Sequence, residues 1–188
     1  MIKNSFKTDT TIYSTRLLTV GDTHAITQHF LGLPVHDQYS RFCGTISRLS
    51  IERFVERCIV RQDHVFLGYS VGEALIGVAQ LAPSENPAAG SELALSVDPH
   101  FRRLGVASEL TKEAIKVAVV RNVPRLWVST VIENRSMIEL AKKFGFLLHT
   151  SSFAISGYLC LPSRDFVSSV DMGAHPLQLK CTEFAHGP

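Results

Sequence analysis

The sequence predicts an α/β (α+β) protein, a three-layer sandwich with a mixed central β-sheet and helices on both faces. Two observations carry this. Stretches rich in β-branched residues alternate with stretches of helical periodicity, and the links between them are of two kinds. A short link with a glycine, Ser70 to Glu73, makes a hairpin and hence an antiparallel pair, whereas helical crossovers make parallel ones. The 188 residues, 45% apolar and 19% charged, suffice for one domain with a sizeable core and exclude a disordered chain.

Taken in order, Ile12 to Val20 reads as a strand ending at Gly21-Asp22, and Asp22 can cap a helix to about Leu31. Gly32-Leu33-Pro34 stops that helix. From Val35 to Val60 the chain reads as mainly helical, with Ser50 as N-cap and Ile51, Phe54, Val55, Cys58 and Ile59 as a buried stripe. His64 to Tyr69 and Ala74 to Leu81 form the hairpin. Pro83 to Gly90 is a loop, Ser91 to Val97 a strand, and Gly105 to Arg121 a long helix whose Lys112, Lys116 and Arg121 are its solvated face. Beyond Pro124 come a strand at Leu126 to Val131 and a helix from Asn134 to Phe144, with Gly145 suited to a left-handed stop. Further strands are expected at Leu147 to Phe153, Gly157 to Leu161 and Leu177 to Cys181. The domain is expected over 1–161, with 162–188 as a C-terminal extension packed on it.

Charge and composition exclude several classes. Nineteen Lys and Arg against 17 Asp and Glu leave only +2, too little for a broad nucleic-acid face. No apolar run reaches the roughly 20 residues of a membrane span, and the N-terminus lacks the apolar segment of a secretory signal, so the default expectation is a cytoplasmic protein. Cys43, Cys58, Cys160 and Cys181 are far apart, with no C-x-x-C pair, and read as small hydrophobes or idle thiols. His24, His29 and His36 are spaced too irregularly for one metal site, and no metal is expected.

The chemistry concentrates between Ser91 and Leu110. A strand feeds Val97-Asp98-Pro99, then the basic turn Arg102-Arg103-Leu104-Gly105-Val106-Ala107, then a helix. A helix start offers several backbone N–H groups and the positive end of its dipole to one point, which makes an anion cradle. Gly105 and Ala107 leave room for a pyrophosphate, Arg102 and Arg103 add charge-assisted hydrogen bonds, and Ser108 adds a hydroxyl. Neither G-x-x-x-x-G-K-[ST] nor G-x-G-x-x-G fits here.

The hexapeptide Arg102-x-x-Gly105-x-Ala107 instead resembles the acetyl-coenzyme A signature of the GNAT superfamily of N-acetyltransferases. Its context strengthens the likeness: Val97-x-Pro99 before it, the strand at Leu126 to Val131, then Asn134-x-x-Met137-x-x-Leu140 and Lys143-Phe144-Gly145-Phe146. The resemblance spans Ile12 to Leu161. Asp37-x-Tyr39-x-Arg41-Phe42, Glu92 and Met137 look most like the catalytic domain of bacterial protein-lysine acetyltransferases.

What the resemblance implies is a GNAT-like sandwich that uses acetyl-coenzyme A as co-substrate and acetylates an amine, either a protein lysine or a small molecule. Glu92 is the expected base. Alternation puts Leu93, Leu95 and Val97 on one strand face and Glu92, Ala94 and Ser96 on the other, although the family commonly bulges this strand. Leu95 and the backbone N–H around Val97 are expected to meet the pantetheine arm and the oxyanion. With them, Arg102, Arg103, Gly105, Val106, Ala107, Ser108, Asn134 and Ser136 form the expected coenzyme site, Asn134 having helix capping as its alternative role. Tyr39, Arg41 and Phe42 are expected to shape the amine pocket; in the plainer reading Tyr39 and Phe42 are core aromatics and Asp37 and Arg41 an i,i+4 pair.

One departure stands out. Many members carry a Tyr seven residues after the Asn to protonate the thiolate, and here that position is Ala141. Tyr158, His149 or water would have to serve, or the thiolate leaves unassisted. A homodimer is the default for such enzymes. The competing reading is a catalytically silent acyl-coenzyme A sensor, which would share the cradle and have no use for Glu92.

Overall fold

The computed structural model describes residues 13–61 and 63–163. All of the extension beyond residue 163, with the strand expected at Leu177 to Cys181, lies outside them. One seven-stranded sheet runs β1 (Tyr13–Leu17), β2 (Val65–Val71), β3 (Ala74–Pro83), β4 (Ser91–Val97), β5 (Arg125–Val131), β7 (Ala154–Cys160) and β6 (Leu147–Thr150) in spatial order. Every neighbouring pair is antiparallel except β4 with β5, which is parallel, so the sheet is mixed as the connections require.

Helices cover both faces. α1 (Thr23–Gly32) and α3 (Arg48–Val60) bury Ile26, Phe30, Ile51 and Val55 against Phe66 and Val78. On the other face α4 (Val106–Val120) lays Val106, Leu110, Ala114 and Ala118 along one stripe against Leu67, Leu81 and Leu93, with Ala141 of α5 (Arg135–Lys143) and Phe146 completing that cluster. The stripe falls every four residues. Each such side chain withdraws apolar surface worth roughly 1.5–3 kcal/mol for the larger ones, which fixes α4 on the sheet.

Three expectations change in detail. The helical region from Val35 is two helices, because Cys43 adopts a left-handed φ of 54° that ends α2 (Val35–Phe42). The cap of α3 is then Ser47, whose side chain accepts from the Ser50 N–H at 3.1 Å. β4 carries no bulge: its register with β3 runs unbroken from Gly77 opposite Val97 to Pro83 opposite Ser91. The irregularity lies one strand over, where Tyr69 faces Gly77 but Ser70 faces Leu75, leaving Ile76 extra.

The β4–β5 junction positions everything else. Pairing covers only Ser91 with Leu126 and Glu92 with Trp127, after which the strands part. Gly90 is what lets them meet at all. Its φ is +86°, and a Cβ there would lie 2.0 Å from the Arg125 carbonyl oxygen.

Candidate active site

Where β4 and β5 diverge, a cleft of about 760 Å³ opens, bounded by α2, β4, the turn before α4, and the start of α5. Its walls include Glu92, Leu95, Val97, Arg102, Arg103, Gly105, Val106, Ala107, Ser108, Asn134 and Ser136. The sequence-predicted coenzyme residues and the predicted base are therefore gathered in one cavity. Arg41 lines it too. Tyr39 does not: it is 52% exposed, outside the cleft. Phe42 stands behind the wall, its ring edge-on to Phe30 and Phe54 at 5.4 Å from each.

At one end lies the cradle. Gly105, the N-cap of α4, has φ +87°, and a Cβ built on it would meet no protein atom within 4 Å. The position is reserved by backbone conformation and left open to solvent. With glycine as cap, no side chain accepts from the first-turn N–H groups of Val106, Ala107 and Ser108. Arg103 is also left-handed, with φ 63°, a conformation non-glycine residues seldom hold.

The arrangement suits an anion. It also contains a cation that sequence reasoning missed, Lys143, whose Nζ donates to the Ser108 hydroxyl at 3.0 Å from the last turn of α5. Its position in the Lys143-Phe144-Gly145 stop was the available signal. Arg102 donates through Nε to the Val97 carbonyl at 3.2 Å and pairs through Nη2 with Asp37 at 2.5 Å. Asp37 thus binds Arg102 rather than Arg41, which corrects the i,i+4 reading.

Along β4 the edges sort themselves. The Asp98 N–H donates to the Ile76 carbonyl of β3 at 2.8 Å, so alternation turns Val97 and Leu95 toward the opposite edge, the one β5 has left. The Arg102 bond to the Val97 carbonyl agrees with that direction. The side chains follow the predicted faces: Leu93, Leu95 and Val97 pack toward α4, while Ser96 bonds His29 of α1 at 2.8 Å. Glu92 shares the face of Ser96, half-buried at the parting of the strands, and its carboxylate forms no hydrogen bond with any described residue. Burial pushes it above the usual carboxylate range, against the pull of the Arg41 charge.

The far wall is less like the expectation. Asn134 uses Oδ1 to cap α5, accepting from the Met137 N–H at 3.2 Å, while the residue still borders the cleft. Ala141 is packed in the core. Tyr158 and His149 lie outside the cleft, so neither stands where a thiolate would leave; the hydroxyls on that wall are Ser129, Thr130 and Ser136. Cys43 and Cys58 carry free thiols, but Cys160 is disulfide-bonded, so the reading of four idle cysteines fails at Cys160: separation in sequence does not prevent pairing in space. Among the described residues no cluster of His, Cys, Asp or Glu could hold a metal, and no helix is long and apolar enough to cross a membrane.

Comparison with known proteins agrees with this geometry. Residues 34–146 match the acetyltransferase (GNAT) family, and the chain belongs to that family. Its fold is that of the GNAT domain of PAT from S. lividans (23% identity, TM-score 0.70, 78% of this chain and 89% of that one). It is equally shared by the ribosomal-protein-S5-alanine acetyltransferase of Vibrio fischeri (12%, 0.66, 79% and 92%). A third is the spermidine N-acetyltransferase of Vibrio cholerae, solved with CoA and spermine (17%, 0.64, 79% and 95%). The two acceptors these names give, a ribosomal-protein alanine and spermidine, are so different that the fold does not name the acceptor.

Proposed function

We propose that this chain is an acetyl-coenzyme A-dependent N-acetyltransferase acting on a primary amine, with Glu92 as base. The observation that carries the reading is Glu92 itself: a half-buried carboxylate, without a hydrogen-bond partner among the described residues, at the point where β4 and β5 part. The pyrophosphate lies on the first turn of α4, held by the N–H groups of Val106, Ala107 and Ser108 and by Arg102, Arg103 and Lys143. The pantetheine arm runs between β4 and β5, along Leu95 and past Asn134 and Ser136.

An alkylammonium ionises near pH 10.4 and is almost wholly protonated at neutrality. Glu92, directly or through water, accepts a proton from it, and a carboxylate raised by burial is a better base than an ordinary one. The freed amine nitrogen attacks the thioester carbonyl carbon. The resulting oxyanion takes a hydrogen bond from the Val97 N–H, which alternation directs to the cleft edge. As the intermediate collapses, its nitrogen gives up a second proton to water, the C–S bond breaks and the neutral amide remains; coenzyme A departs as a thiolate that takes its proton from solvent, and Glu92 releases its own proton to solvent. With a thiol pKa near 8.5 this step needs no dedicated acid. The acceptor is a protein lysine or a small amine, its pocket lined by Arg41 on α2. The cytoplasm is the compartment we assign.

The test is thiol release, with product mass, from acetyl-coenzyme A and a panel of lysine peptides, polyamines and small amines. Turnover on one class, lost by about a hundredfold or more in Glu92→Gln above pH 7 while coenzyme binding persists, is the expected result. Tight binding without turnover on any acceptor would assign the chain to the silent sensors instead. An unchanged rate in the variant would remove Glu92 from the role of base.

A further inference from the structure

The Arg41 side chain is unusual for a cation. Its guanidinium carbon lies 5.2 Å from the centres of the Phe30 and Phe42 rings and 5.9 Å from that of Phe54. These three rings stack edge to face around it. Nη2 donates to the Gln80 side-chain carbonyl, and Nε is fully enclosed with no partner. An orphaned N–H and a guanidinium removed from water both cost stability, so packing alone does not account for a cation here.

What fixes the guanidinium is also traceable. Because Arg can only donate, Gln80 must turn its oxygen to Arg41 and its NH₂ to His64, whose Nδ1 lies 2.8 Å away. His64 therefore accepts at Nδ1, which makes it neutral with its proton on Nε2, toward Asp63 at 3.8 Å. Gln80 itself is only 2% exposed. The three rings and this relay leave the cation one orientation.

Glu92 lines the same cleft as Arg41. The register partners of Glu92, Ala82 on β3 and Trp127 on β5, bring no charge. α2 brings His36, Asp37 and Arg41, with Cys43 at its end. The turn across the cleft brings Arg102 and Arg103, and the α5 side brings Glu133, Arg135, Glu139 and Lys143. Asp37 and Arg102 are engaged with each other, while the Arg41 charge opposes the upward push of burial on Glu92. Yet Arg41 and Glu92 form no ion pair. Burial lowers the guanidinium to about 10, which leaves it charged at neutral pH.

We propose that Arg41 is a positioning residue: the phenylalanine cage and Gln80 hold its charge off Glu92, so that it favours the ionised form of that carboxylate through space without capping the lone pairs a substrate ammonium must reach. A direct bidentate pair would stabilise the carboxylate further and block it. The inference rests on the proposed role of Glu92 for its meaning and on the geometry alone for its test.

The experiment is a titration of the Glu92 carboxyl by NMR in protein labelled with ¹³C-glutamate, assigned with Glu92→Gln. It is run on the wild type, Arg41→Lys and Arg41→Met alongside pH profiles of kcat/KM. Losing the cation is expected to raise the midpoint by about one unit, while Lys holds it close to the wild type. The acid limb of the profile should move with it, acetyl-coenzyme A affinity staying the same. A midpoint unmoved within ~0.2 unit in a folded Arg41→Met protein overturns the proposal. A midpoint that moves while the acid limb stays leaves the counter-charge standing and refutes Glu92 as base. Should the abandoned Gln80 unfold Arg41→Met, the double variant with Gln80→Leu removes both ends of that bond and gives the same reading.

Discussion

Asp37 and Arg102, 65 residues apart, form an ion pair at 2.5 Å that ties α2 to the first cation of the anion cradle. Arg102 completes its bonding on the Val97 carbonyl, so the guanidinium is held beside the cradle rather than in it. A pyrophosphate bound as proposed would compete with Asp37 for that group.

The expected outcome for Asp37→Asn is tighter acetyl-coenzyme A binding, by up to about fivefold, since a partly exposed pair contributes about 1 kcal/mol or less. Calorimetry at two salt concentrations checks it. An unchanged dissociation constant would mean that the pair persists in the loaded protein.

Gly105→Val is expected to weaken acetyl-coenzyme A binding by at least about tenfold, by filling the open space over the first turn of α4. Its cost to folding is set by φ +87° alone, about 1–3 kcal/mol, because the new Cβ meets no protein atom. Thermal melting beside a binding titration separates the two effects. Normal affinity would displace the coenzyme from this turn.

Lys143→Ala is expected to raise the coenzyme dissociation constant about three- to tenfold and to leave the acceptor KM unchanged, because its Nζ stands at Ser108 and not on the acceptor wall. A rise in acceptor KM alone would relocate its role.

His29 governs an acid transition. Burial lowers it to about 4, against about 6.5 in the unfolded chain. Between these values the unfolded state binds more protons, so its contribution is complete above pH 6.5 and is lost as pH falls toward 4. The loss amounts to about 3 kcal/mol. Urea midpoints at about pH 7.5 and 4.5 should show it, and His29→Asn should flatten the slope. An equal slope in the variant would assign the transition to other groups, such as His64, also lowered by burial.

The elements and the cradle were readable in the sequence because their signals are local. The α4 stripe repeats every four residues, and the basic turn lies next to its glycine and its helix start. What escaped depends on distant partners. Nothing near Asp37 announces Arg102, nothing near Arg41 announces Phe30 and Phe54, and Lys143 reaches Ser108 only because α5 ends beside α4. The division of Val35 to Val60 at Cys43 was missed although Gly44 marks it: the left-handed residue is the cysteine before that glycine, and the Gly44 N–H closes on the Tyr39 carbonyl at 3.1 Å. The bulge assigned to β4 came from likeness to other chains, and here the extra residue is Ile76 on β3.

The two-residue contact between β4 and β5 works as a crotch in the sheet rather than a seam. On the proposed site, a thioester entering from the α4 side would emerge, through the gap, beside Arg41 of α2 and Glu92 of β4. Handle and workpiece are thus separated by the thickness of one sheet. On the proposed site, α2-side residues other than Asp37 could be exchanged without loosening the grip on the donor, in keeping with a fold shared by a ribosomal-protein-S5-alanine acetyltransferase and a spermidine N-acetyltransferase.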